Sequence, residues 1–176
     1  MTASPTSVVG ADVAPVAPAP RPRVWPFVVA TLVFVADQIT KGFIQRLPSD
    51  ADIRVLPHCF SIVHLENTGI AFGLLQHGSA WMRFGLIGGS LAALAVVLVL
   101  LWRQRHSFWV AFALALILGG ASGNLLDRIL RGRVVDFLLV YWRSYSWPAF
   151  NVADSAITVG ASILIVQVLF ERPRGA

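Results

Sequence analysis

The chain has 176 residues, 56% of them hydrophobic and 13% charged, with a formal net charge of +5. A soluble domain carries about 25% charged residues, so this composition, with a mean hydropathy of +0.71, reads as a single membrane domain. The arginines flank apolar runs instead of forming one patch, which favours lipid head groups and excludes a nucleic-acid binder. Cys59 is the single cysteine, so an internal disulfide framework and a Cys-rich metal site are excluded.

Residues 1–23 are rich in Ala, Pro, Val, Ser and Thr without a helical period, and are expected to be a disordered cytoplasmic tail. Arg21 and Arg23 then precede the apolar stretch Trp25 to Ala36, as at the start of a signal peptide. Phe34-Val35-Ala36 is not a small-x-small cleavage site, however, and the apolar character resumes at Ile39, Phe43 and Ile44. The expectation is a retained helix over about 24–47, long enough to span.

Residues 48–80 form a long connection with strand-like runs at Ile53-Arg54-Val55 and Phe60 to Leu65. A second span is expected over about 80–102; Phe84 to Trp102 contains no charge. A third is expected over about 108–130, uncharged from Phe108 to Leu126. The run Val134 to Trp142 is β-branched and aromatic with one acid, and a small β element is expected to lie on the membrane surface. A fourth span, about 151–171, completes an all-α membrane domain over 24–172. Such spans must be helical because lipid offers no partner for free backbone groups. Gly85-x-x-x-Gly89 and Gly119-x-x-x-Gly123 allow close helix packing. Arginines are as numerous at one set of helix ends as at the other, so they do not settle orientation; the short 103–107 loop favours a cytoplasmic position.

Ionisable groups in or beside the spans are costly and are functional-site candidates. Asp37 and Lys41 lie four apart on one face of the first helix, in the order that stabilises an internal ion pair. Asn67-Thr68-Gly69 reads as a turn with Asn or Gly at positive φ. Asn124 and Arg128 share a face at the end of the third span, after a run of small residues. Packing explains the glycines there but not the polar group, and snorkelling explains part of Arg128.

Asp136 sits inside an apolar strand-like run. Asn151 and Asp154 fit an N-cap and a first-turn acid, where the helix dipole favours an anion. Each aspartate alone has a structural reading. Two near one membrane face also suit hydrolysis, since two carboxylates in one site share a proton: the ionised member deprotonates water and the protonated one bonds the scissile carbonyl. A serine mechanism lacks a placed base. His58, His64, His77 and His106 are loop residues without a metal-ligand spacing. A proton-coupled transporter and a Mg²⁺ enzyme using Asp127, Asp136 and Asp154 are the competing classes.

Asp37-Gln38-x-x-Lys41, Asn67-x-Gly69-x-Ala71-Phe72, Gly119-Gly120-x-x-Gly123-Asn124-x-x-Asp127-Arg128, Val134-Val135-Asp136-Phe137 and Phe150-Asn151-x-Ala153-Asp154 occur in this order. Each is weak alone; together they resemble the lipoprotein signal peptidase (signal peptidase II) family. The resemblance implies an intramembrane aspartyl endopeptidase with four transmembrane helices in the bacterial cytoplasmic (inner) membrane. Both termini would be cytoplasmic and the active site near the periplasmic face. Its substrate would be a diacylglyceryl-modified prolipoprotein, cut before the lipidated cysteine. Asp136 and Asp154 would be the catalytic dyad, with Asn67, Gly69, Asn124, Arg128 and Asn151 lining the site, and Asp37 and Lys41 supporting it. The resemblance implies no metal or organic cofactor, inhibition by globomycin, membrane lipids as neighbours, and compatibility with a monomer.

Overall fold

The computed structural model describes residues 24–69, 80–103 and 108–170. The N-terminal tail, Ala71 and Phe72, His77 and His106 lie outside the described residues. In chain order the elements are α1 (Trp25–Ile44), β1 (Asp52–Leu56), β2 (Phe60–Asn67), α2 (Ala80–Arg103), α3 (Phe108–Arg131), β3 (Val134–Trp142), β4 (Tyr145–Ser146) and α4 (Val152–Phe170). All four helices are long and apolar enough to cross a membrane.

α1 starts with a proline in its first turn, where the missing N–H costs no helical bond. α3 is the central helix, packed against α1, α2 and α4. Its Ala113 and Ala115 are fully buried. Gly119 and Gly120 are successive contact points on two of its faces: a Cβ on Gly119 would strike the Ala30 carbonyl of α1, and one on Gly120 the Ala153 carbonyl of α4. The exposed side chains of Leu91, Val96 and Val99 on α2 are apolar, as lipid-facing positions require.

The strands form an antiparallel sheet in the order β1-β2-β3-β4. A bulge in β2 between Ile62 and Leu65 leaves β3 regular and brings Leu65 opposite Asp136 and Asn67 opposite Val134. Val135 and Phe137 pack with Ile44 and Val152, which roots the sheet on the ends of α1 and α4. β4 is only two residues long, too short to leave a period-2 signal in the sequence.

Candidate active site

Four chain segments converge where the sheet meets the helix ends: the end of β2, the C-terminal turns of α3, the start of β3 and the first turn of α4. Asp136 is supplied by β3 and is 4% exposed. Its Oδ2 accepts Asn67 Nδ2 at 3.0 Å, and its Oδ1 accepts Asn151 Nδ2 at 2.8 Å. Asp154 Oδ1 accepts Asn124 Nδ2 at 2.7 Å. Asn151 Nδ2 also lies 3.3 Å from Asn124 Oδ1. Three amides thus aim N–H groups at two carboxyls, and Asn151 joins the pair.

Gly69 enters this arrangement through its backbone. Its N–H donates to Asn67 Oδ1 at 2.7 Å, and its φ is 80°. The Asn67 oxygen is thereby held by the turn, which leaves Nδ2 as the end that reaches Asp136. Arg128 is brought alongside but not onto the carboxyls: its Nη1 donates to the Asn124 carbonyl one turn earlier at 3.3 Å.

Burial pushes the Asp136 carboxyl up to about 6, and the nearby negative charge of Asp154 pushes the same way. The Asn67 and Asn151 donors and the more distant Lys41 charge oppose this rise without cancelling it. A buried carboxyl poised near neutrality is a functional-site signature when its geometry points the same way.

Beneath the pair lies a fully buried ionic network. Lys41 Nζ is 2.8 Å from Asp37 Oδ2, 2.8 Å from Asp127 Oδ2 and 2.8 Å from Asn124 Oδ1. The ammonium is thus set against two carboxylates and donates to one amide oxygen. Asp37 Oδ1 also accepts the Ala153 N–H at 2.9 Å, tying α1 to the first turn of α4. Asp127 is paired in addition with Arg131. The expected Asp37–Lys41 pair is present, but it is part of a larger set. No local pattern in the sequence reports the Asp127 contact, although Asn124 and Asp127 are three apart on one helix and hence neighbours.

Because Asp127 faces Lys41 and Arg131, it does not join Asp136 and Asp154. Among the described residues no three His, Cys, Asp or Glu side chains form a group that could hold a metal ion. Of the histidines, His64 places Nδ1 3.1 Å from the Leu47 carbonyl, and His58 lies in the β1–β2 link.

Residues 29–170 match the family model described as signal peptidase (SPase) II. The lipoprotein signal peptidase of Pseudomonas aeruginosa (strain UCBPP-PA14) is 45% identical over 161 residues, covering 88% of this chain and 91% of that protein. That of Solibacter usitatus (strain Ellin6076) is 44% identical over 152 residues, covering 83% and 90%. Among solved structures, a bacterial membrane enzyme determined by the in meso method at 1.9 Å resolution superposes with a TM-score of 0.76. It is 29% identical and covers 84% of this chain and 94% of its own.

Proposed function

We propose, given that the chain belongs to the signal peptidase II family, that it removes signal peptides from diacylglyceryl-modified bacterial prolipoproteins by an aspartyl mechanism. The cut falls before the lipidated cysteine. The observation that carries this reading is the junction of Asp136 and Asp154 through Asn151, whose side chain donates to Asp136 and whose backbone N–H donates to Asp154, with amide donors on each carboxyl.

In this mechanism Asp136 holds the proton, because it is the carboxyl pushed toward neutrality by burial. Asp154, at the positive end of α4, takes a proton from a water. The water oxygen adds to the scissile carbonyl carbon while Asp136 bonds the carbonyl oxygen. Proton transfer to the amide nitrogen then lets the C–N bond break, giving a carboxylate on the released signal peptide and an amine on the lipidated cysteine. Asn67, Asn124 and Asn151 orient the two carboxyls, Gly69 fixes Asn67, and Arg128 lines the site. Lys41 and Asp37 support it from below. No step calls for a metal or organic cofactor.

The substrate keeps its lipid in the bilayer, so the enzyme meets it there as a multi-pass protein of the bacterial cytoplasmic membrane. This reading puts both termini in the cytoplasm and the active site near the opposite face, where lipoproteins emerge. It also makes globomycin a competitor for the site and the single chain a sufficient unit.

The test is gel-shift cleavage of a diacylglyceryl-modified prolipoprotein by purified protein, with and without EDTA and globomycin. Cleavage before the modified cysteine is expected to be insensitive to EDTA, blocked by globomycin, and absent from Asp136→Asn and Asp154→Asn. Robust turnover by either folded variant would overturn the dyad.

A further inference from the structure

Both turns of the sheet lie together at the end remote from Asp136. Phe60 pairs with Val140, and the Tyr141 N–H donates to the Cys59 carbonyl at 3.0 Å, so the β1–β2 link abuts the β3–β4 link. Tyr141 is five residues beyond Asp136 on β3, roughly 17 Å of strand. Alternation also puts the Tyr141 side chain on the face opposite Asp136.

A cavity of about 600 Å³ opens at this remote end. Arg54 of β1, His58 of the first link and Arg143 of the second line it, with the Ser61 and Tyr141 hydroxyls between them. Asp52 is the one carboxylate in its wall, so two guanidiniums face one acid. Among the described residues neither Arg54 nor Arg143 has an ion-pair partner, whereas Lys41, Arg131 and Arg133 each hold a carboxylate.

The backbone supplies an independent observation. Among the described residues the non-glycine positions with positive φ are His58 (72°) and Arg143 (55°), and both line this cavity. Gly or Asn would sit in either turn with less strain. Two basic side chain types occupy these positions instead, on adjacent turns, aimed at one space. Around them Trp142, Tyr145 and Trp147 are 69%, 81% and 69% exposed. Large exposed aromatics at a charged rim are what the membrane–water interface selects, and the sheet is rooted at the ends of helices long and apolar enough to span a membrane.

We propose that this cavity binds the phosphate head group of an anionic phospholipid, with Arg54 and Arg143 on the phosphate oxygens and Trp142, Tyr145 and Trp147 in the interfacial layer around it. Guanidinium forks match phosphate geometry, and the aromatics favour a lipid over a free anion as the source of that phosphate. The site is separate from the carboxyl pair. Its effect is to pin the free end of the sheet to the bilayer while the other end carries Asn67 and Asp136.

Native mass spectrometry of the full-length protein in detergent, titrated with phosphatidylglycerol, phosphatidylcholine or inorganic phosphate, tests the proposal. Wild type is expected to retain phosphatidylglycerol over phosphatidylcholine. R54Q/R143Q should bind phosphatidylglycerol about tenfold more weakly, the loss expected of a charge-assisted contact, with phosphatidylcholine retention unchanged. R143G separates a binding role from a folding one, since it relaxes the left-handed turn: it should raise the unfolding midpoint while lowering phosphatidylglycerol retention. Equal retention by wild type and R54Q/R143Q would overturn the proposal. So would an equal loss in R103Q, which would mean diffuse attraction, or tight binding of inorganic phosphate without lipid preference.

Discussion

Asn151 and Asp154 cap each other across the first turn of α4. The Asn151 side-chain oxygen accepts the Asp154 N–H at 2.9 Å, and the Asp154 carboxylate accepts the Asn151 N–H at 3.3 Å. This is a reciprocal capping pair, which satisfies N–H groups that a helix start otherwise leaves free. The same Asn151 amide turns its Nδ2 to Asp136 at 2.8 Å. The residues that begin the helix are therefore the residues that join the two carboxyls, so the capping role of Asn151 and Asp154 is compatible with the site role proposed for them.

Asn151→Ala removes both the cap and the donor to Asp136, and Asn151→Ser removes chiefly the donor. A lost cap costs about 1 kcal/mol, so the unfolding midpoint of N151A should fall by a few degrees while N151S stays near wild type. Prolipoprotein cleavage should fall at least about 100-fold in both, as misplaced catalytic groups do. Wild-type turnover by N151S would show that the amide does not set the position of Asp136.

Asp136 ties activity and stability to pH. Its folded carboxyl is raised from 3.8 to about 6, so the native state holds the proton more tightly than the unfolded chain. The associated stability is fully present below pH 3.8 and is lost as pH rises through about 6. The loss is up to about 3 kcal/mol at 1.36 kcal/mol per unit. Unfolding midpoints of wild type relative to D136N should therefore fall between about pH 4 and 6.5 and level off above. With Asp136 as the proton holder, kcat/KM should also decline above pH 6, because that parameter reports the free enzyme. A kcat/KM still climbing from pH 6 to 8 would place the catalytic proton elsewhere.

The helices were readable because lipid permits little else, and β2 and β3 because Phe60–Asn67 and Val134–Trp142 carry β-branched and aromatic residues in partial alternation. The candidate site was readable because Asp136 and Asp154 are acids in apolar surroundings. What failed to show were contacts between distant segments. Asp37 bonding the Ala153 N–H, and Asp127 completing the coordination of Lys41, depend on how α1, α3 and α4 cross. No local period reports a crossing. The two Gly-x-x-x-Gly motifs looked equivalent for the same reason.

They are not equivalent. A Cβ on Gly123 would collide with the Asp37 carboxylate, whereas Gly85 and Gly89 have nothing within 4 Å of that position. G123A should therefore push Asp37 off Lys41 and the Ala153 N–H, costing about 1–3 kcal/mol as overpacking does, and reduce cleavage with it. G85A and G89A should be neutral or slightly stabilising, through better helix propensity. Thermal unfolding of the three variants in one detergent separates them. A G123A protein as stable and active as wild type would mean that α1 and α3 are free to move apart at this point.

Lys41 sets the largest expected loss. It is fully buried, as are Asp37 and Asp127, and it lies against both carboxylates. Lys41→Met deletes one charge and leaves two of opposite sign without their shared partner, a change that costs about 3–5 kcal/mol in buried pairs. It also frees Asn124 Oδ1, which Lys41 holds at 2.8 Å, so the amide can rotate and present oxygen instead of N–H to Asp154. Stability and activity should fall together in K41M. Neutralising the acids as well, in K41M/D37N/D127N, removes the buried stranded charges, leaves only the part-exposed Arg131 without its carboxylate, and should recover much of the unfolding midpoint, because removing a buried ion network is far less costly than breaking it. Activity should remain low, since nothing restores the contact that fixes Asn124. If the triple variant were as unstable as K41M, the penalty would come from lost packing around the lysine stem. If it recovered activity along with stability, the orientation of Asn124 would be set by Asn151 and Asp154 alone.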